Sequence, residues 1–377
     1  MHNKSQENKP IYVTRPSLPE LDEFLPFVEK IWDNRVLTNN GPFHQQLEKE
    51  LADFLDVPYI SLFANGTLAL VTALQALNIS GEVITTPYSF VATTHSVWWN
   101  NARPVFVDVD PVTCNISPKK IEAAITPDTT AILPVHVYGN PCQVEHIQEI
   151  ASRHKLKVVY DAAHTFGIKY KGGSLLQYGD LSILSFHATK VFNTMEGGAI
   201  VSHDIQTKQK IDYLKNFGFA GETEIKLPGI NSKMNEMQAA LGLVQLKHYH
   251  KNVNKRKAIT EKYKDELGRV EGISFLTLQP GVQDYNYAYF PIFVDQNRYG
   301  KSRNDLYYHL KKWNIHGRRY FYPLISSFPS YSGLPSAQPK NLPAAHSIAD
   351  QVICLPLYPD LALSDVVRIS DTIRNFR

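Results

Sequence analysis

From about Ser17 the chain alternates short β-branched runs with stretches whose apolar positions recur three and four residues apart. PYISLF, GEVITTP, RPVFVDVD, TAILPVHVYG and KVVYDAAH predict strands. LALVTALQAL, TTHSVWWNN, SPKKIEAAI and QVEHIQEIASRHK predict helices between them, SPKKIEAAI being opened by Ser117 and Pro118. Such alternation implies βαβ units and a mostly parallel sheet covered on both faces. An amphipathic stretch from Asn235 to about Val270 is much longer than a mean helix of about 11–12 residues and predicts a link between two domains. Beyond it, ISFLTL and NYAYFPIFVD read as strands and RNDLYYHLKKWN and LSDVVRISDTIRNF as helices, the pattern of a smaller α+β domain. The expected division is a large domain over residues 1–250, beginning with a helical segment, and a small C-terminal domain over residues 251–377.

A length of 377 residues agrees with that division. The formal charge of +3 is spread along the chain, which argues against nucleic acid as a partner; KNVNKRK reads as a charged helix face without aromatic neighbours for bases. Cys114, Cys142 and Cys354 lack CxxC spacing and indicate neither a disulfide framework nor a zinc site, so a reducing cytoplasm is expected. No metal site is expected at His136, His187, His248 or His250, which lack paired ligand spacing; the last two read as solvated helix residues. The N-terminal MHNKSQENKP is polar, and the longest apolar runs fall short of about 18 residues, so no membrane association is expected.

Ligands of open parallel sheets sit at the carboxyl ends of the strands, and four polar or aromatic features occur there. In FANGTLAL, Asn65, Gly66 and Thr67 stand between a strand and a helix, where backbone N–H groups, a hydroxyl and the helix dipole can converge on an anion. Taken alone, those residues read as a strand-to-helix turn with a Thr cap. Asp161 in VVYDAAHTFG ends an apolar strand, where a carboxylate needs a positive partner unless it is solvated. Lys190 follows Ser185 in SILSFHATK, and Phe90 offers a flat face in TTPYSFVAT. A lone lysine is usually a surface charge. The conjunction instead matches the needs of pyridoxal phosphate, whose phosphate, ring face, protonated ring nitrogen and aldehyde each require one such group. FANGTLAL lacks GxGxxG spacing, which argues against a dinucleotide-binding oxidoreductase.

From VLTNNGPFHQQLEKELADFL through NGTLAL, TTPYSFVATTHS, LPVHVYGNPC, DAAHTFG, SFHATKVFNTMEGGAIV and INSKMNEMQAALGLVQL to ICLPLYP, the chain resembles the DegT/DnrJ/EryC1/StrS family of sugar-nucleotide aminotransferases. The resemblance implies the α/β fold of fold type I pyridoxal phosphate enzymes, with a mixed, mostly parallel seven-stranded sheet in the large domain. It puts the Schiff-base lysine on Lys190, the ring-nitrogen acid on Asp161 and the stacking aromatic on Phe90. Gly66, Thr67 and Ser185 fall on the phosphate ligands, and Asn231 on an asparagine sent to the other subunit of a homodimer. His164 stands where the family often has glutamine beside the ring hydroxyl, a place a neutral imidazole can also fill. Relatives that dehydrate carry histidine at the lysine position, so Lys190 implies amino transfer.

The wording is most similar to members that aminate carbon 4 of a dTDP-linked 4-keto-6-deoxy sugar with L-glutamate, for bacterial surface polysaccharide such as O-antigen. In HGRRYFYP, Arg318, Arg319 and Tyr320 are candidates for the nucleotide diphosphate, or else solvated arginines beside a structural tyrosine. Amination at carbon 3, and a regulatory protein that keeps the fold without catalysis, remain the alternative expectations.

Overall fold

The computed structural model describes residues 9–376. Of the polar N-terminal segment, Met1–Asn8 lie outside the described residues. Helices α1 (Leu21–Asn34) and α2 (Pro42–Leu55) precede seven strands, β1 (Tyr59–Phe63), β2 (Glu82–Thr85), β3 (Arg103–Phe106), β4 (Thr129–Leu133), β5 (Lys157–Asp161), β6 (Leu181–Ser185) and β7 (Gly198–Ser202). Their spatial order is β1-β7-β6-β5-β4-β2-β3. Helices α3 (Gly66–Ala76), α4 (Ala92–Trp99), α5 (Pro118–Ala123) and α6 (Val144–His154) connect β1 through β5 in turn, as parallel neighbours require. The chain from β6 to β7 holds no helix and turns straight back, so β7 runs antiparallel to both β6 and β1. The expected mixed, mostly parallel seven-stranded sheet is the one observed.

After α7 (Ile205–Leu214), α8 (Glu236–Leu267) opens on a capping box in which Asn235 Oδ1 accepts from the Gln238 N–H at 2.9 Å and Gln238 Oε1 accepts from the Asn235 N–H at 3.3 Å. Its first half buries Ala239, Ala240, Leu243 and Val244 in one core with Leu47 and Leu51 of α2. Gly242 permits that close crossing, since a Cβ there would stand 2.7 Å from Leu47 Cδ2. Its second half gives Ile259, Tyr263 and Leu267 to another core, shared with the antiparallel strands β9 (Phe290–Val294) and β10 (Val352–Leu355) that follow β8 (Ile273–Phe275). Residues 250 and 251 lie inside α8, which passes without a break from one sheet's unit to the other's. Among the described residues, no helix is long and apolar enough to cross a membrane.

Candidate active site

A cleft of about 700 Å³ opens at the carboxyl ends of the parallel strands, large enough for a cofactor together with part of a substrate. Gly66, Thr67, Phe90, Asp161, His164, Ser185 and Lys190 line it from the large sheet's side, and Tyr289, Tyr320 and Phe321 from the other. Eight of the sequence-derived candidates therefore meet in one place: Gly66, Thr67, Phe90, Asp161, His164, Ser185, Lys190 and Tyr320. Asn231 and Arg318 do not line this cleft.

β1 delivers the chain to the N-terminus of α3, where extended Asn65 caps the helix by accepting from the Leu68 N–H at 2.9 Å. The first-turn N–H groups of Gly66 and Thr67 have no helical acceptor, and the positive end of the helix dipole lies with them. The turn packs tightly on β6 and β7. A Cβ on Gly66 would stand 3.0 Å from Ser185 Cβ, and one on Gly198 would stand 2.7 Å from the Gly66 nitrogen. Glycine at both positions thus lets the turn lie this close to the two strands.

Asp161 ends β5 at 6% exposure. Its Oδ2 accepts from Thr93 Oγ1 at 2.7 Å and its Oδ1 from the Ala163 N–H at 3.2 Å. Burial pushes its pKa up, while those two bonds and the positive charge of Lys190 pull the other way. A buried carboxylate with so little compensation is prepared for a cation.

His164, also 6% exposed, is held neutral: burial first, then Lys190 and His136, push its pKa well below the ordinary value. Its Nε2 lies 3.3 Å from Tyr289 Oη, while its Nδ1 is buried with no hydrogen-bond partner among the described residues.

Lys190 sits on the loop from β6 to β7, which is closed by the Phe186 N–H donating to the Gly197 carbonyl at 2.8 Å and the Thr194 N–H donating to the Phe186 carbonyl at 2.9 Å. Burial brings its amine down to about 8, against a smaller upward pull from Asp161. In cofactor-free protein, competitive acetylation read by peptide mass is therefore expected to show Lys190 becoming reactive with a midpoint near pH 8, ahead of ordinary lysines at 10.5. A midpoint at the ordinary lysine value would show that the amine is solvated.

The two neighbouring arginines diverge. Arg319 donates to Asn304 Oδ1 at 2.8 Å and lies over the rings of Tyr307 and Tyr322 at 4.4 and 4.9 Å, a packing role. Arg318 is exposed, and its backbone pairs with that of Cys354. The Tyr320 carbonyl accepts from Tyr138 and Tyr88, which fixes the aromatic wall of the cleft. Asn231 is exposed, its Oδ1 accepting from Lys233 Nζ at 2.8 Å. Sequence reasoning missed Thr93, which follows Phe90 by three residues at the start of α4, and Tyr289, hidden in the strand pattern of NYAYFPIFVD.

A profile of the DegT/DnrJ/EryC1/StrS aminotransferase family matches residues 20–374. The chain belongs to this aminotransferase family. The match spans both sheets and every residue that lines the cleft. It is 55% identical over 368 residues to a protein of Escherichia coli named dTDP-4-amino-4,6-dideoxy-D-glucose transaminase, covering 96% of this chain and 98% of that one. A protein of Shigella dysenteriae with the same name is 52% identical, covering 98% of this chain and 100% of that one. The crystal structure of DesI in the presence of its TDP-sugar product superposes with a TM-score of 0.93 at 31% identity, over 97% of this chain and 93% of that one. As a member of the family, the chain is a sugar aminotransferase of the α/β class.

Proposed function

We propose that this aminotransferase uses pyridoxal phosphate to convert dTDP-4-keto-6-deoxy-D-glucose and L-glutamate into dTDP-4-amino-4,6-dideoxy-D-glucose and 2-oxoglutarate. The observation that carries the chemistry is the meeting of Lys190, buried Asp161 and the Gly66–Thr67 turn in one cleft. The choice of sugar is supported by the identity with the two transaminases named for that product. A place in surface polysaccharide synthesis, such as O-antigen, is the corresponding use.

The residues present fit the cofactor. The free first-turn N–H groups of Gly66 and Thr67, with Ser185, suit its phosphate. Asp161 suits a protonated ring nitrogen, which would relieve the unfavourable burial of its carboxylate. The unpartnered His164 Nδ1 suits the ring oxygen, and Phe90, 62% exposed, has a face to give to the ring. When bound, pyridoxal phosphate supplies an electron-withdrawing ring that accepts the electron pair left when a proton departs from the amine-bearing carbon.

The chain's own residues do the rest. Lys190 Nζ, its basicity lowered toward neutrality, would take that proton from the amine-bearing carbon and deliver it to the carbon that bore the cofactor's aldehyde, and would make the reverse transfer in the half-reaction with the keto sugar. Asp161 keeps a proton on the ring nitrogen, and neutral His164 directs hydrogen bonding at its unpartnered nitrogen. Tyr289, Tyr320 and Phe321 cover the reacting atoms against water.

The proposed unit is a homodimer in which Asn231 serves the partner's cleft. This is supported by its exposed side chain, which is not part of its own cleft's lining, and by exposed Phe217, Phe219, Ile225 and Ile230 in the adjoining loop. Mixed dimers of Lys190→Ala and Asn231→Ala subunits are expected to recover activity that neither parent has, because one site in each carries both lesions and the other none. No recovery in verified mixed dimers would contradict the shared site. A cytoplasmic location is supported by Cys114, Cys142 and Cys354, all buried as free thiols.

The function is tested by incubating the protein with L-glutamate and dTDP-linked 4-keto and 3-keto sugars, then identifying products by mass and NMR. An equatorial amine at carbon 4 is expected. An amine at carbon 3 would overturn the regiochemistry, and no amination of either sugar would overturn the proposed function.

A further inference from the structure

Beside the main cleft is a dimple of about 20 Å³ that shares Thr189, Tyr289 and Tyr320 with it and is backed by Leu355 and Leu357. It has room for one group the size of a water molecule. Its remaining wall includes Thr14, in the segment ahead of α1. That segment is tied down: Ile11 and Tyr12 pair in parallel with Ile315 and His316, and the Leu357 N–H donates to the Val13 carbonyl at 3.0 Å.

The Thr14 hydroxyl is buried and has no hydrogen-bond partner among the described residues. Two other hydroxyls of the wall are engaged, Thr189 with His187 Nδ1 at 2.8 Å and Tyr289 with His164 Nε2 at 3.3 Å. A fixed, buried, unpaired hydroxyl in a small recess is disfavoured unless a ligand completes it. Thr189 is the chain neighbour of Lys190, and with Tyr289 and Tyr320 it belongs to both walls, so the dimple adjoins the cleft that holds the amine.

We propose that Thr14 is a specificity-determining residue: its hydroxyl recognises the sugar-ring hydroxyl next to the keto carbon, at carbon 3. A methyl group, the substituent on the other side of that keto carbon, would fit by size but would leave Thr14 unpaired. The recess therefore selects a hydroxyl and sets which way round the ring lies. This inference rests on the proposed sugar-nucleotide reading.

The test compares wild type, Thr14→Val and Thr14→Ser on dTDP-4-keto-6-deoxyglucose and on its 3-deoxy counterpart. Thr14→Val is expected to lower kcat/KM for the 3-hydroxy sugar by about tenfold to a hundredfold. With the 3-deoxy sugar it should match wild type within about threefold, and Thr14→Ser should restore most of the loss. The melting temperature of Thr14→Val should not fall, because the substitution removes an unpaired buried hydroxyl. Equal losses on both sugars, or a lowered melting temperature with no selectivity, would show that Thr14 acts only in packing or through an ordered water. Wild type inactive on both sugars would overturn the proposed function itself, and this assignment with it.

Discussion

Lys190→Ala is expected to lower transamination by about 10⁴-fold or more, because one substitution removes both the amine that holds the cofactor and the base that moves the proton. The fold should persist. The folded pKa of Lys190 lies at about 8, below its ordinary 10.5, so the folded state binds fewer protons than the unfolded chain between those values. Stability contributed by this group therefore rises with pH across that window and is at its lowest below pH 8. Alanine removes that penalty, and the cofactor-free variant should melt no lower than wild type at pH 7. A variant with near-normal turnover would show that Lys190 is not the working amine, and a variant that unfolds would show that the loop from β6 to β7 depends on it structurally.

Asp161→Asn is the second large effect expected, a loss of about a hundredfold to a thousandfold in kcat with the cofactor still retained. Asparagine keeps the size of the group and can still accept from Thr93, but it carries no charge to hold a proton on the ring nitrogen. The absorption maximum of the loaded protein should shift with it. Here too the stability sign opposes a structural role. The folded pKa is raised by burial, so this carboxylate contributes most at low pH and loses that contribution as pH rises through the folded value. Without cofactor, Asp161→Asn should melt at or above wild type at neutral pH. Unchanged kinetics in this variant would make Asp161 a bystander.

The chemistry of the site was legible where polar residues interrupt apolar strands. Asp161 after KVVY, Ser185 after SIL and the Asn65–Gly66–Thr67 turn after YISLF are visible because each stands where a buried strand ends. The length of the amphipathic stretch after Asn235 likewise foretold α8, whose two halves enter two different cores.

Other features depend on tertiary contacts that local pattern cannot carry. β7 follows β6 without a helix and so falls outside the βαβ rhythm, yet it closes the loop that presents Lys190. Tyr289 looks like any aromatic strand residue until the fold places it against His164. Arg318 and Arg319 are alike in sequence, and only packing on Tyr307 and Tyr322 separates their surroundings. Thr14 is silent in sequence, because its meaning lies in an unpaired hydroxyl beside residues from the other end of the chain.

The most direct test of the account is covalent. Protein saturated with pyridoxal phosphate, reduced with borohydride, digested and read by peptide mass is predicted to carry the cofactor on the peptide containing Lys190, and prior conversion with L-glutamate should abolish that label. Label on a different lysine, or normal turnover with no labelled lysine at all, would contradict it.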